Sequence, residues 1–307
     1  MSAALRRITV LCTPFAAAFA VVGCGGQAPV VPSGLIAAVG AENQYANVIS
    51  QIGGRDVSVT AVESNPNTDP HAYEASPSVA RLVSSARVVV QNGLGYDSYM
   101  DKIENASADS RRRVIDVQRL LGLPDSTPNP HLWYEPGTMA AVAKALSRDL
   151  GAIEPANAPY FQANLKRFDR SLNPWYDALK AFAARYPKTQ VATTEPVADY
   201  MLAAADAVDL TPFSFQADVM NGVDPAPQSV SLEDSLFSAH RVRVLVYNQQ
   251  VTDSLTQSFI SAAKKSGIPV VGVYETMPTG YRYQSWMLAE VAALQRAVAH
   301  RVSTQKL

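Results

Sequence analysis

The chain alternates between short apolar runs and amphipathic stretches over most of its length. After the run at 35–39, for example, apolar residues recur at i, i+3, i+4 and i+7 from Tyr45 to Ile52, and Gly53 and Gly54 close that helix. Strands that alternate with helices are typical of a parallel sheet covered by helices, so the predicted fold class is α/β. The pattern predicts strands at 35–39, 57–62, 87–91, 113–117, 189–194, 208–213, 242–247 and 268–274, with helices at 45–52, 78–85, 97–105, 139–150, 197–205, 231–239, 254–265 and 283–302.

One long helical pattern divides this alternation into two halves. Its apolar residues are three or four positions apart without a break, Pro187 ends it, and Pro174 inside it is predicted to kink it. Four strands before it and four after it predict two Rossmann-like lobes with parallel sheets, joined by one long rigid helix. The predicted domains are an N-terminal lobe at 35–154, a linking helix at 155–186 and a C-terminal lobe at 187–307; the apolar positions of the linking helix are Phe161, Leu165, Phe168, Leu172, Trp175, Leu179, Phe182 and Tyr186.

Three local expectations accompany this reading. Thr138 is predicted to cap the helix at 139–150, and Gly151 to end it. The stretch at 214–228 contains glycine and proline and shows no periodicity, so it is predicted to be a loop, and no role is assigned to it.

The first residues have the layout of a secretory leader. Arg6 and Arg7 precede an apolar run at 8–22, which is shorter than the roughly 20 residues that a spanning helix needs. The run ends in Val-Val-Gly-Cys and resembles a bacterial lipobox, whose cysteine becomes the lipid-bearing first residue. Cys12 would leave with the leader and Cys24 would be the single remaining cysteine, so no disulfide is expected. We therefore predict a signal peptide at 1–23 and a lipidated tether at 24–34; the alternative is a leader with an incidental cysteine.

Composition narrows the function classes. The formal net charge is −1, and 48% of residues are hydrophobic and 17% charged, which is ordinary for a globular protein and gives no basic surface for nucleic acid. No other apolar stretch reaches spanning length, so a soluble exported domain, anchored by its lipid to the outer face of the cytoplasmic membrane and acting as a monomer, is expected.

Two of the four histidines stand in loops that follow strands. His71 and His131 each follow a proline, whereas His240 and His300 lie at helix ends. The loop before His71 holds two prolines and short polar side chains that bond to their own backbone, which stiffens it. In α/β sheets, ligands bind beyond the carboxyl ends of the strands, and both imidazoles are predicted to lie there.

Two carboxylates complete the candidate site. Glu195 and Glu275 each directly follow a predicted strand of the second half. Two imidazoles from one lobe and two carboxylates from the other could enclose a divalent cation and neutralise its charge. The structural alternative stays open at this point, because Pro-His pairs are common in loops and carboxylates at strand ends often cap helices.

Six segments of the chain are similar to segments of a known family: NPNTDPHAYEASPS (65–78), VVVQNGLGYDSYMDK (88–102), NPHLWYEP (129–136), TEPVADYM (194–201), VRVLVYNQQ (242–250) and IPVVGVYETMPTG (268–280). On these segments, the chain resembles the zinc/manganese substrate-binding proteins of bacterial ABC transporters, from about Leu35 onward. The resemblance implies a two-lobed receptor that captures Zn²⁺ or Mn²⁺ in the interlobe cleft, delivers it to a membrane permease and catalyses nothing. It assigns the ligands to His71, His131, Glu195 and Glu275.

The chain also departs from that family. Many zinc-type members have histidine where this chain has Glu195, the fourth ligand is usually aspartate rather than Glu275, and the histidine-rich loop of some members is absent. The set is therefore harder than a three-histidine site, which favours Mn²⁺ without excluding Zn²⁺. Asn92, Glu135, Tyr247 and Asn248 are candidates for orienting the ligands.

Other classes remain as alternatives. Gly93-Leu94-Gly95 between a strand and a helix echoes a dinucleotide fingerprint, but Ser98 stands where its third glycine belongs. A receptor for a metal chelate, such as a siderophore or corrinoid, would use a similar scaffold. An exported metallohydrolase is less favoured, because four ligands would close the position that a catalytic water needs.

Overall fold

The computed structural model describes residues 34–307, so the predicted signal peptide and the lipidation site Cys24 lie outside the described residues. All eight predicted strands are found in the described part of the chain. They are β1 (Ile36–Glu42), β2 (Val57–Glu63), β3 (Val88–Gln91), β4 (Arg113–Asp116), β5 (Gln190–Thr193), β6 (Val208–Asp209), β7 (Val244–Asn248) and β8 (Val270–Val273).

The strands form two four-stranded sheets of the same topology. The order is β2-β1-β3-β4 in the first and β6-β5-β7-β8 in the second, and every pairing is parallel. The carboxyl ends of the strands in each sheet therefore point to one edge, where α/β proteins place their ligands. The predicted two-lobed α/β fold is confirmed.

The helices cover the sheets, and α6 joins the lobes. This helix has 28 residues, contains Pro174 and packs against α1 and α5 of the first lobe and α7 and α11 of the second. The helices are α1 (Asn43–Gly53), α2 (Pro77–Ser85), α3 (Ser98–Ala106), α4 (Val117–Leu120), α5 (Thr138–Ile153), α6 (Ala158–Arg185), α7 (Asp199–Ala204), α8 (Phe213–Met220), α9 (Pro227–Ser238), α10 (Ser254–Lys265) and α11 (Tyr283–His300).

The main apolar core is continuous between the lobes. It runs from the first sheet through the buried face of α6 to α11 and the second sheet, and it contains Trp133, Trp175 and Trp286. A separate cluster around Phe215 and Phe259 fills the other side of the second sheet. Truncation of one buried tryptophan or phenylalanine typically lowers the free energy of unfolding by about 3–5 kcal/mol. The core that the lobes share therefore holds them together where both pack on α6.

Three local predictions were wrong. Thr138 does not cap α5, because Gly137, with φ of 109°, occupies that position and Thr138 is the first helical residue. Gly151 does not end the helix either. It lies inside α5 where a Cβ would come within 3.2 Å of Ala158, so glycine is there for a close helix contact. The predicted strand at 208–213 is only two residues long, since α8 begins at Phe213.

The stretch at 214–228 is also more ordered than predicted. Most of α8 lies within it and α9 begins at Pro227, so the loop is confined to the residues between these helices. An eight-residue helix gives too few turns for its apolar period to be recognised in the sequence.

A short segment covers the outer edge of β8. The Gly272 N–H donates to Thr304 O (2.9 Å), and the Thr304 N–H donates to Val270 O (2.9 Å). Gly272 permits this approach, because a Cβ at that position would lie 2.3 Å from Gln305 O. Within residues 34–307, no helix combines the length and the apolar character needed to cross a bilayer.

Candidate metal centre

Three of the four predicted ligands meet between the two sheets. His71, His131 and Glu275 each offer one ligand atom, and these atoms lie within 4.8 Å of one another. Nε2 of His71 and Nε2 of His131 are each 3.2 Å from the same oxygen, Oε2 of Glu275. The histidines come from loops beyond β2 and β4, and the glutamate lies two residues beyond the end of β8.

The loop that carries His71 is held by short local bonds, as predicted. Asp69 Oδ1 accepts from the His71 N–H (2.8 Å), and Pro70 opens a single 3₁₀ turn. Across the cleft, Gln250 Nε2 donates to Thr68 O at 2.6 Å. The His71 Nε2 atom itself is buried and lies 3.2 Å from Glu275 Oε2 without a hydrogen bond of normal geometry, so it points into the centre.

His131 is fully buried, and Asn129 fixes its tautomer. The Asn129 Nδ2 group donates to Pro196 O (2.7 Å), which orients the amide so that its Oδ1 atom faces His131 Nδ1 at 2.8 Å. An amide oxygen can only accept, so Nδ1 carries the proton. In the neutral ring Nε2 then presents a lone pair to the centre, as a metal ligand requires.

Glu275 is held by both lobes. Its N–H donates to Gln250 Oε1 (2.7 Å) and its carbonyl accepts from Gln44 Nε2 (3.0 Å). In the side chain, Oε2 accepts from the Tyr96 hydroxyl (2.9 Å) and Oε1 from Asn248 Nδ2 (2.7 Å). The side chain is 0% exposed, and these four contacts from both lobes fix its position together with its own loop.

Glu195, the remaining predicted ligand, lies next to Glu275 but does not belong to the cluster of His71, His131 and Glu275. It is buried, at 3% exposure, and lies two residues beyond the end of β5. Asn248 Nδ2 lies 3.1 and 3.2 Å from its two carboxylate oxygens and also bonds Glu275, so one amide group bridges the two acids.

The electrostatics of the centre follow from burial and proximity. Burial raises the pKa of Glu195 well above its usual range, and the negative charge of Glu275 raises it further. Burial also acts to raise the pKa of Glu275, but its contacts with His131 and His71 outweigh this and hold that pKa low. The pKa of His131 is lowered by burial, whereas that of His71 is raised because Glu275 outweighs burial. These shifts favour the ionised form of Glu275 and the neutral form of His131.

Two of the four predicted orienting residues contact the site. Asn248 bridges the acids, and Asn92 Nδ2 donates to Pro130 O (2.8 Å) next to His131. Glu135 is exposed, and the Tyr247 hydroxyl donates to Gln249 at 2.8 Å and lies 3.3 Å from Gln305 O, so neither was found to contact the ligands.

Four residues of the site were missed. The Asn-Pro-His triplet could have indicated Asn129, since an asparagine two residues before a histidine can bond to it. No sequence signal indicated that Tyr96, Gln250 and Gln44 reach the site, because their contacts join distant parts of the chain.

The chain matches proteins of known type over most of its length. A family model described as zinc-uptake complex component A, periplasmic, matches residues 39–297. The manganese-binding lipoprotein MntA of Bacillus subtilis is 21% identical over 264 residues, which cover 82% of this chain and 83% of that protein.

Solved structures share the fold. FpvC of Pseudomonas aeruginosa, in complex with Mn²⁺, is 19% identical with a TM-score of 0.70, and the match covers 87% of this chain and 99% of that one. A metal-free S38A mutant of a periplasmic metal binding protein from Candidatus Liberibacter asiaticus is 17% identical with a TM-score of 0.69, over 85% and 98% of the two chains. With a family model that spans most of both lobes, the chain belongs to the zinc-uptake complex component A periplasmic family.

Proposed function

We propose that this protein captures a divalent transition metal ion, Mn²⁺ or Zn²⁺, between its lobes and delivers it to an ABC permease. The four ligands are His71, His131, Glu195 and Glu275 in chain order, with no catalytic residue. The observation that carries the proposal is the buried convergence of two imidazole nitrogens on one carboxylate, with the tautomer of His131 fixed by Asn129. Family membership and the manganese-binding relative support it.

The charge and the chemical type of the four proposed ligands favour Mn²⁺, the harder of the two ions. Two carboxylates neutralise a dication, and two oxygen donors with two imidazoles suit Mn²⁺ better than a three-histidine set would. The contacts of Gln250 and Asn129 across the cleft hold the loops of both lobes around the centre, which suits retention of a bound ion.

Calorimetry tests the proposal. Protein stripped of metal by a chelator is titrated with Mn²⁺ and, separately, with Zn²⁺. We expect one metal ion to bind per protein molecule. His71→Ala and Glu275→Ala should each weaken this binding by more than the loss of a residue that only orients a ligand does, which is typically about 10- to 100-fold. His300→Ala, at an exposed helix end, is the matched control and should bind as the wild type does.

Two results would contradict the capture role. A flat titration with both ions would leave the chelate receptor as the better candidate. Chelator-sensitive turnover of esters, peptides or phosphates would favour a metallohydrolase.

We also propose that the protein is exported and anchored through lipid on Cys24. Cys24→Ala should then release it from the membrane fraction, whereas Cys12→Ala, within the predicted signal peptide, should leave it bound. Equal membrane retention of both variants would show that Cys24 is not the anchor.

A further inference from the structure

A cavity separate from the metal centre lies where helices of both lobes meet α6, the connector between the lobes. It has a volume of about 630 Å³ and is lined by α1, by the middle of α6 and by Arg282 at the start of α11. Three of its lining side chains are guanidinium groups, those of Arg167, Arg170 and Arg282, and none is a carboxylate. The remaining lining is mainly neutral amide and hydroxyl side chains, so the cavity is polar and positively charged.

The three guanidinium groups have no acidic partner among the described residues. Other arginines of the chain do, since Arg111 pairs with Asp109 and Arg148 with Asp149. Arg167 donates to Asn164 Oδ1, and the Asn164 Nδ2 group donates to Ile52 O (2.7 Å), which fixes the orientation of that amide. Arg167 is therefore positioned by a neutral group and keeps its positive charge uncompensated.

The helices beside the cavity are bonded to one another. Gln284 Nε2 donates to Gln51 Oε1 (2.9 Å) on α1 and to Ser171 Oγ (2.7 Å) on α6. The Tyr283 N–H donates to Asn47 Oδ1 at 3.1 Å. The cavity is thus a preformed space whose surroundings come from the first lobe, the connector and the second lobe together.

We propose that this cavity binds a small oxyanion with two or more negative charges, of the phosphate or polycarboxylate type. Guanidinium groups bind such oxygens through paired, charge-assisted hydrogen bonds. Because Arg167 and Arg170 belong to the connector and Arg282 to the start of α11, the anion bridges these two elements. The inference does not rest on the proposed metal site, which shares no residue with this cavity.

The test uses the full chain, stripped of metal so that phosphate or citrate cannot act by chelation. Calorimetry with inorganic phosphate and with citrate, at constant ionic strength set by chloride, should show saturable one-to-one binding of at least one anion. Arg167→Gln, Arg170→Gln and Arg282→Gln should each weaken it by about tenfold or more, as expected for loss of a charge-assisted bond. Lys166→Gln removes the same charge from the neighbouring, exposed position of α6 outside the cavity, and it should bind as the wild type does.

Circular dichroism shows whether each variant folds. If one arginine variant does not fold, the other two still test the proposal. Absence of saturable binding with both anions would overturn the proposal. Equal weakening in Lys166→Gln and in the arginine variants would also overturn it, because the effect would then be general charge screening.

Discussion

Asn129 Oδ1 accepts the backbone N–H of His131 at 3.0 Å and lies 2.8 Å from Nδ1 of the same histidine. One amide oxygen therefore fixes both the backbone and the ring of a residue that is wholly buried. The same side chain reaches Pro196, the residue after Glu195, so it links the proposed second and third ligands across the cleft.

Replacement of Asn129 tests this link. Asn129→Ala should weaken metal binding by about 10- to 100-fold, as is typical when a histidine ligand loses the acceptor that orients it. Calorimetry with the preferred ion measures the effect. Asn221→Ala, which removes an exposed asparagine that bonds only within its own helix end, is the control. Unchanged affinity in Asn129→Ala would mean that the buried ring is held by packing alone.

Glu195→Ala should leave the fold intact and weaken metal binding strongly. The residue follows β5 in a loop and belongs to no apolar cluster, so its loss removes a proposed ligand without a core contact. Far-ultraviolet circular dichroism and calorimetry of the same sample separate the two effects. Loss of folding with this change would show that Glu195 is structural.

Glu195→His should shift the preference toward Zn²⁺. The change replaces a hard oxygen donor with an imidazole nitrogen, which suits Zn²⁺ better than Mn²⁺. The ratio of the two dissociation constants, compared between wild type and variant, is the measurement. A ratio that does not move would remove the argument from ligand hardness.

Asn248→Ala should destabilise the metal-free protein more than the metal-loaded one. Without the bridging amide, buried oxygens of Glu195 and Glu275 lose a donor, at a cost of about 1–3 kcal/mol for an unsatisfied group. A bound cation would stabilise the same oxygens. Thermal unfolding in chelator and in saturating metal should therefore show a larger metal-induced rise in Tm for the variant, and an equal rise would contradict a shared site at these acids.

Glu290, which lies outside the metal centre, makes the free energy of unfolding depend on pH. It is fully buried, its Oε1 atom accepts from Trp286 Nε1 (2.8 Å), and its Oε2 atom has no hydrogen bond. Burial raises its pKa to about 8, although the contacts with Trp286 and Tyr134 act in the opposite direction. The folded protein thus keeps a proton that the unfolded chain releases above about pH 4.3, so this contribution to stability falls as pH rises toward 8.

Glu290→Gln imitates the protonated acid and should remove this pH dependence. Relative to the wild type, the metal-free variant should gain stability as pH rises from about 5 to about 8, and the difference should level off above about pH 8, where the carboxyl is ionised in the folded protein as well. Thermal unfolding across that range measures the difference, with Asp177→Asn at an exposed position of α6 as control. A difference that is constant with pH would show that Glu290 is already ionised in the fold.

The sheets could be predicted from the sequence because strands that are buried on both faces, such as β3, are short apolar runs. The sequence also predicted that His71, His131 and Glu275 lie together, because each follows a strand whose carboxyl end points to the cleft. It overestimated β6 because residues 210–213 are apolar enough for a strand, while Pro212 in fact precedes the first turn of α8.

The contacts that position the ligands could not be predicted in the same way. Gln250 joins the loop of His71 to the backbone of Glu275 over separations of 182 and 25 residues, and no local pattern marks such a residue. Glu135 and Tyr247 were also predicted to orient the ligands, but Glu135 is exposed and the Tyr247 hydroxyl donates to Gln249. Local sequence therefore predicted the ligand loops, while the fold decided which polar neighbours support them.

The segment that covers β8 has a further consequence. An open strand edge is a template for pairing with another chain, and it is a common starting point for aggregation. Here Thr304 supplies the pairing at that edge, and the missing side chain of Gly272 lets the segment lie close. The protein thus shields the β8 edge of its second sheet against a foreign strand by means of its own chain.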